Sequence, residues 1–295
     1  MSRWQKVFSL IICLLLCSNL FGCDHSSENS NTTVVTTPDG EGTVNGDNIV
    51  INLPQASGSV VYSQSGCTID ASNTKDGYVM VKCSGYTEKL KVKVSLGDQS
   101  YTYDLNNQGN YEVYPLQMGN GSYSVKVYKN LEGTSYSVLY AVSLNVSMDN
   151  TDRVFVFPNQ YVWYTNDDDA IALSQELCKG VSDNAKKADI IYNYIVKHIS
   201  YDDEKAKTVQ SGYLPDVDST LSTGKGICFD YAALMASMLR AHDIPTKLVI
   251  GNLSPENIYH AWNQVYINGE WVWMDPTLGK KNTHEQTDYT EERKY

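Results

Sequence analysis

The sequence predicts an α+β protein, with a first half of short antiparallel strands and a second half in which helices feed a small sheet. Three observations carry this. Residues 49–158 hold runs that alternate apolar and polar with period two, separated by Gly, Asn and Asp clusters. From about residue 166 the apolar spacing lengthens to that of helices. Late in the chain, Asn268-Gly269 marks a two-residue hairpin turn between apolar runs. With 295 residues, 42% of them hydrophobic, the chain has material for two modest domains with appendages.

The first 23 residues read as an address. Arg3 and Lys6 precede an almost wholly apolar run from Val7 to Leu20, the pattern of a secretory signal. The run is shorter than the ~20 residues that span a bilayer. It ends in Leu20-Phe21-Gly22-Cys23, which resembles a bacterial lipobox, although Phe21 is a less usual occupant of its position. The resemblance implies cleavage after residue 22, lipidation of Cys23 and an extracytoplasmic protein anchored to a membrane. Cys13 and Cys17 would leave with the signal. Residues 23–48 are rich in Ser, Asn, Thr, Asp and Gly and have little to bury, so they read as a flexible tether. Such a coil averages roughly 25–30 Å end to end.

Residues 49–158 read as a small all-β, sandwich-like domain. Its strands include Tyr78–Lys82, Leu90–Val94 and Tyr123–Tyr128, with turns at Asp76-Gly77, Gly97-Asp98 and Gly119-Asn120-Gly121. The chain has 22 Tyr against 5 Phe, a bias that suits half-exposed strand faces. No catalytic grouping stands out here. Cys67 and Cys83 could form a disulfide outside the cytoplasm. Two buried thiols are the other reading, because sequence gives no distance.

Residues 159–295 change period. Asn166 to Asp169 opens a helix that Gly180 closes, and Ser182-Asp183 opens another that runs to about Ile199 with Ala188, Ile191 and Ile195 on one face. Tyr201 to Thr223 reads as a polar loop. A helix follows from Cys228 to Arg240, then a strand at Thr246–Gly251 and a hairpin from His260 to Pro276.

The chemistry concentrates in this half. Gly224 and Gly226 permit a tight turn, and Cys228 stands at the start of the helix that follows. Free N–H groups and the dipole at a helix N-terminus favour an anion, the form in which a cysteine sulfur is a nucleophile. The same N–H groups suit an oxyanion. In the hairpin, if Ile267 faces Glu270, then Trp262 faces Asp275. His260 shares the face of Trp262, because strand side chains alternate. His260 and Asp275 are then diagonal neighbours roughly 7–8 Å apart at the backbone, within reach of a side-chain hydrogen bond. A carboxylate on one ring nitrogen and a thiol at the other is the arrangement of an activated nucleophile.

The blocks GKGICFDYAALM, YHAWNQVY and WVWMDPT, with Tyr201-Asp202 and Gly212 to Asp216 before them, resemble the bacterial transglutaminase-like superfamily over about residues 167–277. That resemblance implies a papain-like domain, with the Cys helix packed on an antiparallel sheet that carries His and Asp. It also implies Cys228, His260 and Asp275 as triad, and Tyr213 is the candidate second oxyanion donor, with Gln210 behind it. Asp230 and Tyr231 read as supports of the helix and cleft. Trp262 and Trp273 suit an acyl groove or plain aromatic packing. Cys178 reads as buried, and His198 and His242 as helix C-terminal caps.

The expected reaction is attack on an amide through an acyl-enzyme, with hydrolysis of a protein or peptide, cell-wall peptide included. Cross-linking acyl transfer is the alternative, since the triad serves both. An inactive scaffold would lack a triad member, and none is missing. The Cys and His spacing resembles no zinc site, so neither metal nor cofactor is expected. With 23 Lys and Arg against 34 Asp and Glu, the net charge of −11 argues against a nucleic-acid partner.

Overall fold

A computed structural model describes residues 51–279 and 282–295. The signal, the tether and Cys23 lie outside the described residues. Among the described residues no helix is long and apolar enough to cross a membrane.

The first half contains β1 (Val61–Gln64), β2 (Cys67–Asp70), β3 (Tyr78–Cys83), β4 (Leu90–Leu96), β5 (Gln99–Leu105), β6 (Glu112–Pro115), β7 (Gly121–Glu132) and β8 (Ser135–Val146). They form two four-stranded antiparallel sheets, ordered β1-β2-β3-β6 and β5-β4-β7-β8. The period-two pattern explains the second sheet. Leu90, Val92 and Val94 of β4 and Tyr123, Val125 and Val127 of β7 point inward, while Lys91, Lys93 and Lys126 alternate outward. Cys67 faces Cys83 across β2 and β3, and a disulfide joins them.

The tyrosines divide: Tyr128, Tyr136 and Tyr140 are half-buried on strand faces, as composition suggested, while others lie in the core. Tyr103, Tyr114 and Tyr123 are each 1% exposed. Each hydroxyl has a partner that offsets its burial: Gln117 Nε2 donates to Tyr103 at 2.8 Å, Tyr114 donates to the Asp104 carbonyl at 2.9 Å, and Tyr123 donates to the Leu116 carbonyl at 2.7 Å.

The second half contains α1 (Asp169–Leu177), α2 (Asn184–His198), β9 (Ser200–Tyr201), α3 (Asp203–Thr208), α4 (Val217–Thr223), β10 (Lys225–Gly226), α5 (Cys228–Arg240), β11 (Thr246–Leu253), β12 (Ile258–Ile267), β13 (Glu270–Met274) and β14 (Tyr289–Lys294). The mixed fold of helices and antiparallel sheets is the α+β plan. Helix α5 is buried on every side from Asp230 to Arg240, as a central helix must be. It packs on a sheet ordered β13-β12-β11-β14, and Asn263 Nδ2 of β12 donates to the Ala232 carbonyl at 2.9 Å. Ala188, Ile191 and Ile195 bury the face of α2 that the sequence pattern picked out.

Two segments differ from the sequence reading. The polar loop 201–223 contains α3 and α4. Both have Asp caps: Asp202 accepts the Lys205 N–H at 2.9 Å and Asp216 accepts the Ser219 N–H at 2.8 Å. Helix α3 buries no residue, so no apolar period announced it. The polar tail contributes β14, which pairs with β11 and completes the sheet. Gly251 permits that pairing, because a Cβ there would lie 1.9 Å from the Thr290 carbonyl oxygen.

One apolar cluster runs through both halves, from Val92 and Val125 to Ile171, Ala232 and Leu248.

Candidate active site

The path into Cys228 is fixed residue by residue. Helix α4 ends at Gly224, whose φ of 62° is left-handed and whose N–H bonds the Thr220 and Leu221 carbonyls. Strand β10 then pairs in parallel with β9, with Asp202 donating its N–H to the Gly226 carbonyl at 2.9 Å. Gly226 has ordinary backbone angles, so its glycine is not a turn requirement. A Cβ at 226 would lie 2.7 Å from the Asp230 Cβ, and the glycine makes room for that side chain. Cys228 is the first residue of α5, partly exposed and free. Helix geometry leaves the N–H groups of the first turn, Cys228 and Phe229 among them, without an intrahelical acceptor.

The hairpin register is the one the Asn268-Gly269 turn dictates. Ile267 pairs with Glu270 and Asn263 with Met274. His260 and Trp262 share a face, their rings 6.3 Å apart. His260 Nε2 meets Asp275 Oδ2 at 2.8 Å, with both residues buried. Cys228 lies near enough to the same imidazole to influence its protonation. Burial alone would drive the His260 pKa down. Hydrogen bonds and charge from Asp275 and Cys228 outweigh it, and the pKa is raised to about 9.

Asp275 is saturated with donors. Oδ1 accepts the N–H groups of Thr277 and Leu278 at 3.0 and 3.2 Å, and Oδ2 accepts the Tyr289 hydroxyl at 2.9 Å as well as the imidazole. Tyr289 belongs to β14 and was not legible in the sequence as a site residue. Its only signal was an aromatic in an otherwise polar tail.

The other candidates fall elsewhere. The hydroxyl of Tyr213, expected as an oxyanion donor, gives its one proton to Asp230 Oδ1 at 2.5 Å, so it has none for a reacting carbonyl. Gln210 is exposed and donates to the Thr208 carbonyl at 2.7 Å. Trp262 is wholly buried against Val249, Leu253 and Tyr289, which is packing. Cys178 is buried, and desolvation pushes its thiol up to about 11. His198 caps its own helix through the Tyr194 carbonyl. His242 reaches instead to Ser174, and burial lowers its pKa to about 4. Among the described residues no group of three His, Cys, Asp or Glu side chains could hold a metal ion.

Residues 171–276 match the transglutaminase-like superfamily, a span that holds Cys228, His260 and Asp275. This segment is a transglutaminase-like domain. A UPF0252 protein of Pyrococcus horikoshii is 31% identical over 114 residues, 36% of this chain and 36% of the relative, so the match spans about a third of that protein's length. Among solved structures, one from Cytophaga hutchinsonii described as a candidate cysteine protease is 16% identical, covers 74% of this chain and 83% of its own, and has a TM-score of 0.42. The periplasmic domain of TgpA from Pseudomonas aeruginosa is 18% identical over 77% of this chain and 76% of its own, with a TM-score of 0.34. In the transglutaminase-like domain the buried carboxylate of Asp230 faces the peptide that precedes Cys228. Its Oδ2 accepts the Ile227 N–H at 2.8 Å and the Lys205 ammonium at 2.7 Å.

Proposed function

We propose that the transglutaminase-like domain is a thiol enzyme that acts on amide bonds, with Cys228 as nucleophile, His260 as acid and base, and Asp275 as the group that orients the ring. The observation that carries this is the buried 2.8 Å hydrogen bond between His260 and Asp275, with a free, partly exposed Cys228 at the first residue of α5 close enough to act on the same ring. With its pKa near 9, His260 is protonated at neutral pH. In the proposed reaction the sulfur attacks as the thiolate, with the proton on His260. Sulfur bonds to the carbonyl carbon, and the carbonyl electrons move to oxygen, where N–H groups at the start of α5 stabilise them. Collapse expels the amine, which takes its proton from His260, and leaves an acyl group on sulfur. Water adds to the acyl carbon as it loses a proton to the ring, the carbon–sulfur bond breaks, and the acid leaves with the thiolate and the imidazolium restored. The same acyl-enzyme passed to an amine would cross-link.

We assign the protein to the cell envelope, as a lipoprotein held by Cys23 and acting on protein or peptide there, cell-wall peptide included. The signal-like start, the lipobox-like Leu20–Cys23 and the Cys67–Cys83 disulfide support this reading. Hydrolysis is preferred over transfer. Incubation of the protein with peptides, wall fragments and a labelled amine, followed by mass spectrometry, tests both. Products gaining the mass of water fit hydrolysis, and amine incorporation without hydrolysis would overturn that preference.

A further inference from the structure

We infer that Asp230 is a positioning residue for Cys228, and that with Lys205 and Tyr213 it locks segment 202–213 onto the first turn of the nucleophile helix. This rests on the reading of Cys228 as nucleophile. Asp230 is fully buried, and a buried carboxylate is costly unless its oxygens are paired. Its partners come from three places. The Ile227 N–H belongs to the residue just before Cys228, Lys205 comes from α3, and Tyr213 comes from the stretch after α3. Lys205 also donates to the Tyr213 hydroxyl at 2.7 Å, which closes the ring of contacts.

The consequence for Cys228 is geometric. Its backbone is held on one side through the Ile227 N–H and on the other through the helical turn that carries Asp230. Gly226 leaves the space the Asp230 side chain occupies. Helix α3 has no buried residue, so apolar packing does not hold it. Its attachment to the body is polar, through Lys205 and through the backbone bond from Asp202 to Gly226. Loss of one of these bonds therefore loosens the surroundings of Cys228 rather than the core.

Alkylation of Cys228 tests this without any amide substrate. The full chain is treated with iodoacetamide, modification at residue 228 is followed by peptide mass spectrometry, and a urea unfolding curve is recorded for each variant. Tyr213→Phe removes one bond to Asp230 with little change in shape, and Lys205→Met removes the cation. Each is expected to slow alkylation roughly 10- to 100-fold, the scale of a misplaced reacting group. The inference is overturned if both variants alkylate at the wild-type rate, even where the urea midpoint falls. If wild-type Cys228 reacts no faster folded than unfolded, the nucleophile reading fails and takes the inference with it.

Discussion

His260 takes its charge from its neighbours against the effect of its own burial. A pKa raised from 6.5 to about 9 means the folded state binds the proton more tightly than the unfolded chain. The stabilisation is fully present below pH 6.5 and is lost as pH rises through about 9. Urea midpoints of the wild type and of His260→Gln should therefore differ most near pH 6 and converge above pH 9. A pH-independent gap would contradict the linkage. Tyr289→Phe deletes one donor to the Asp275 carboxylate. It should destabilise the fold by about 1.5–3 kcal/mol, as bonds to charged groups do, and lower the His–Asp contribution to turnover. The three residues at the centre were legible because each had a local rule: a glycine-flanked helix start for Cys228, a turn-fixed register for His260 and Asp275. Tyr289 and the Lys205 to Asp230 contact were not, because neither rests on periodicity or on a nearby turn. They depend on where a polar tail and a polar loop come to lie. Tyr213 was noticed for the right neighbourhood and given the wrong partner.

At the scale of elements, the legible parts were those whose sequence carries a period or a cap. Helix α5 begins and ends where the sequence placed it, and the β12–β13 register follows from Asn268-Gly269. The hidden parts were α3, too short and too exposed to show an apolar stripe, and β14, whose partner β11 lies far away in the chain. Gly251 is where β14 depends on a single position. A methyl group there would meet the Thr290 carbonyl oxygen, which is backbone and cannot swing aside. Gly251→Ala should cost about 1–3 kcal/mol by overpacking. Because β14 carries Tyr289, the same change should reduce activity, and a calorimetric scan paired with an activity assay checks both. Wild-type stability in that variant would mean that β14 does not need the close approach.

Across the whole molecule, Arg240 ties distant pieces together. It is fully buried, and its guanidinium donates to three backbone oxygens: Thr246 at 2.9 Å, Phe157 at 2.7 Å and Tyr295 at 2.8 Å. Phe157 lies at the end of the first half, Thr246 starts β11 and Tyr295 follows β14. Arg240→Lys is not conservative, since one ammonium cannot copy the planar fork. It should cost at least about 2 kcal/mol through buried acceptors left unpaired, read as a fall in the urea midpoint. The two halves were legible as separate patterns of period. The apolar cluster that runs through both was not, because no local pattern states which faces meet.

The central claim is that the sulfur of Cys228, served by His260, attacks an acyl carbon. The most direct measurement is intact-protein and peptide mass spectrometry after brief exposure to an activated acyl ester. The predicted result is a single acyl adduct on the peptide containing Cys228, formed roughly 10²–10⁴-fold more slowly in His260→Ala and missing in Cys228→Ala. An adduct of equal yield in Cys228→Ala, or acylation at Cys228 that proceeds at the same rate without His260, would contradict it.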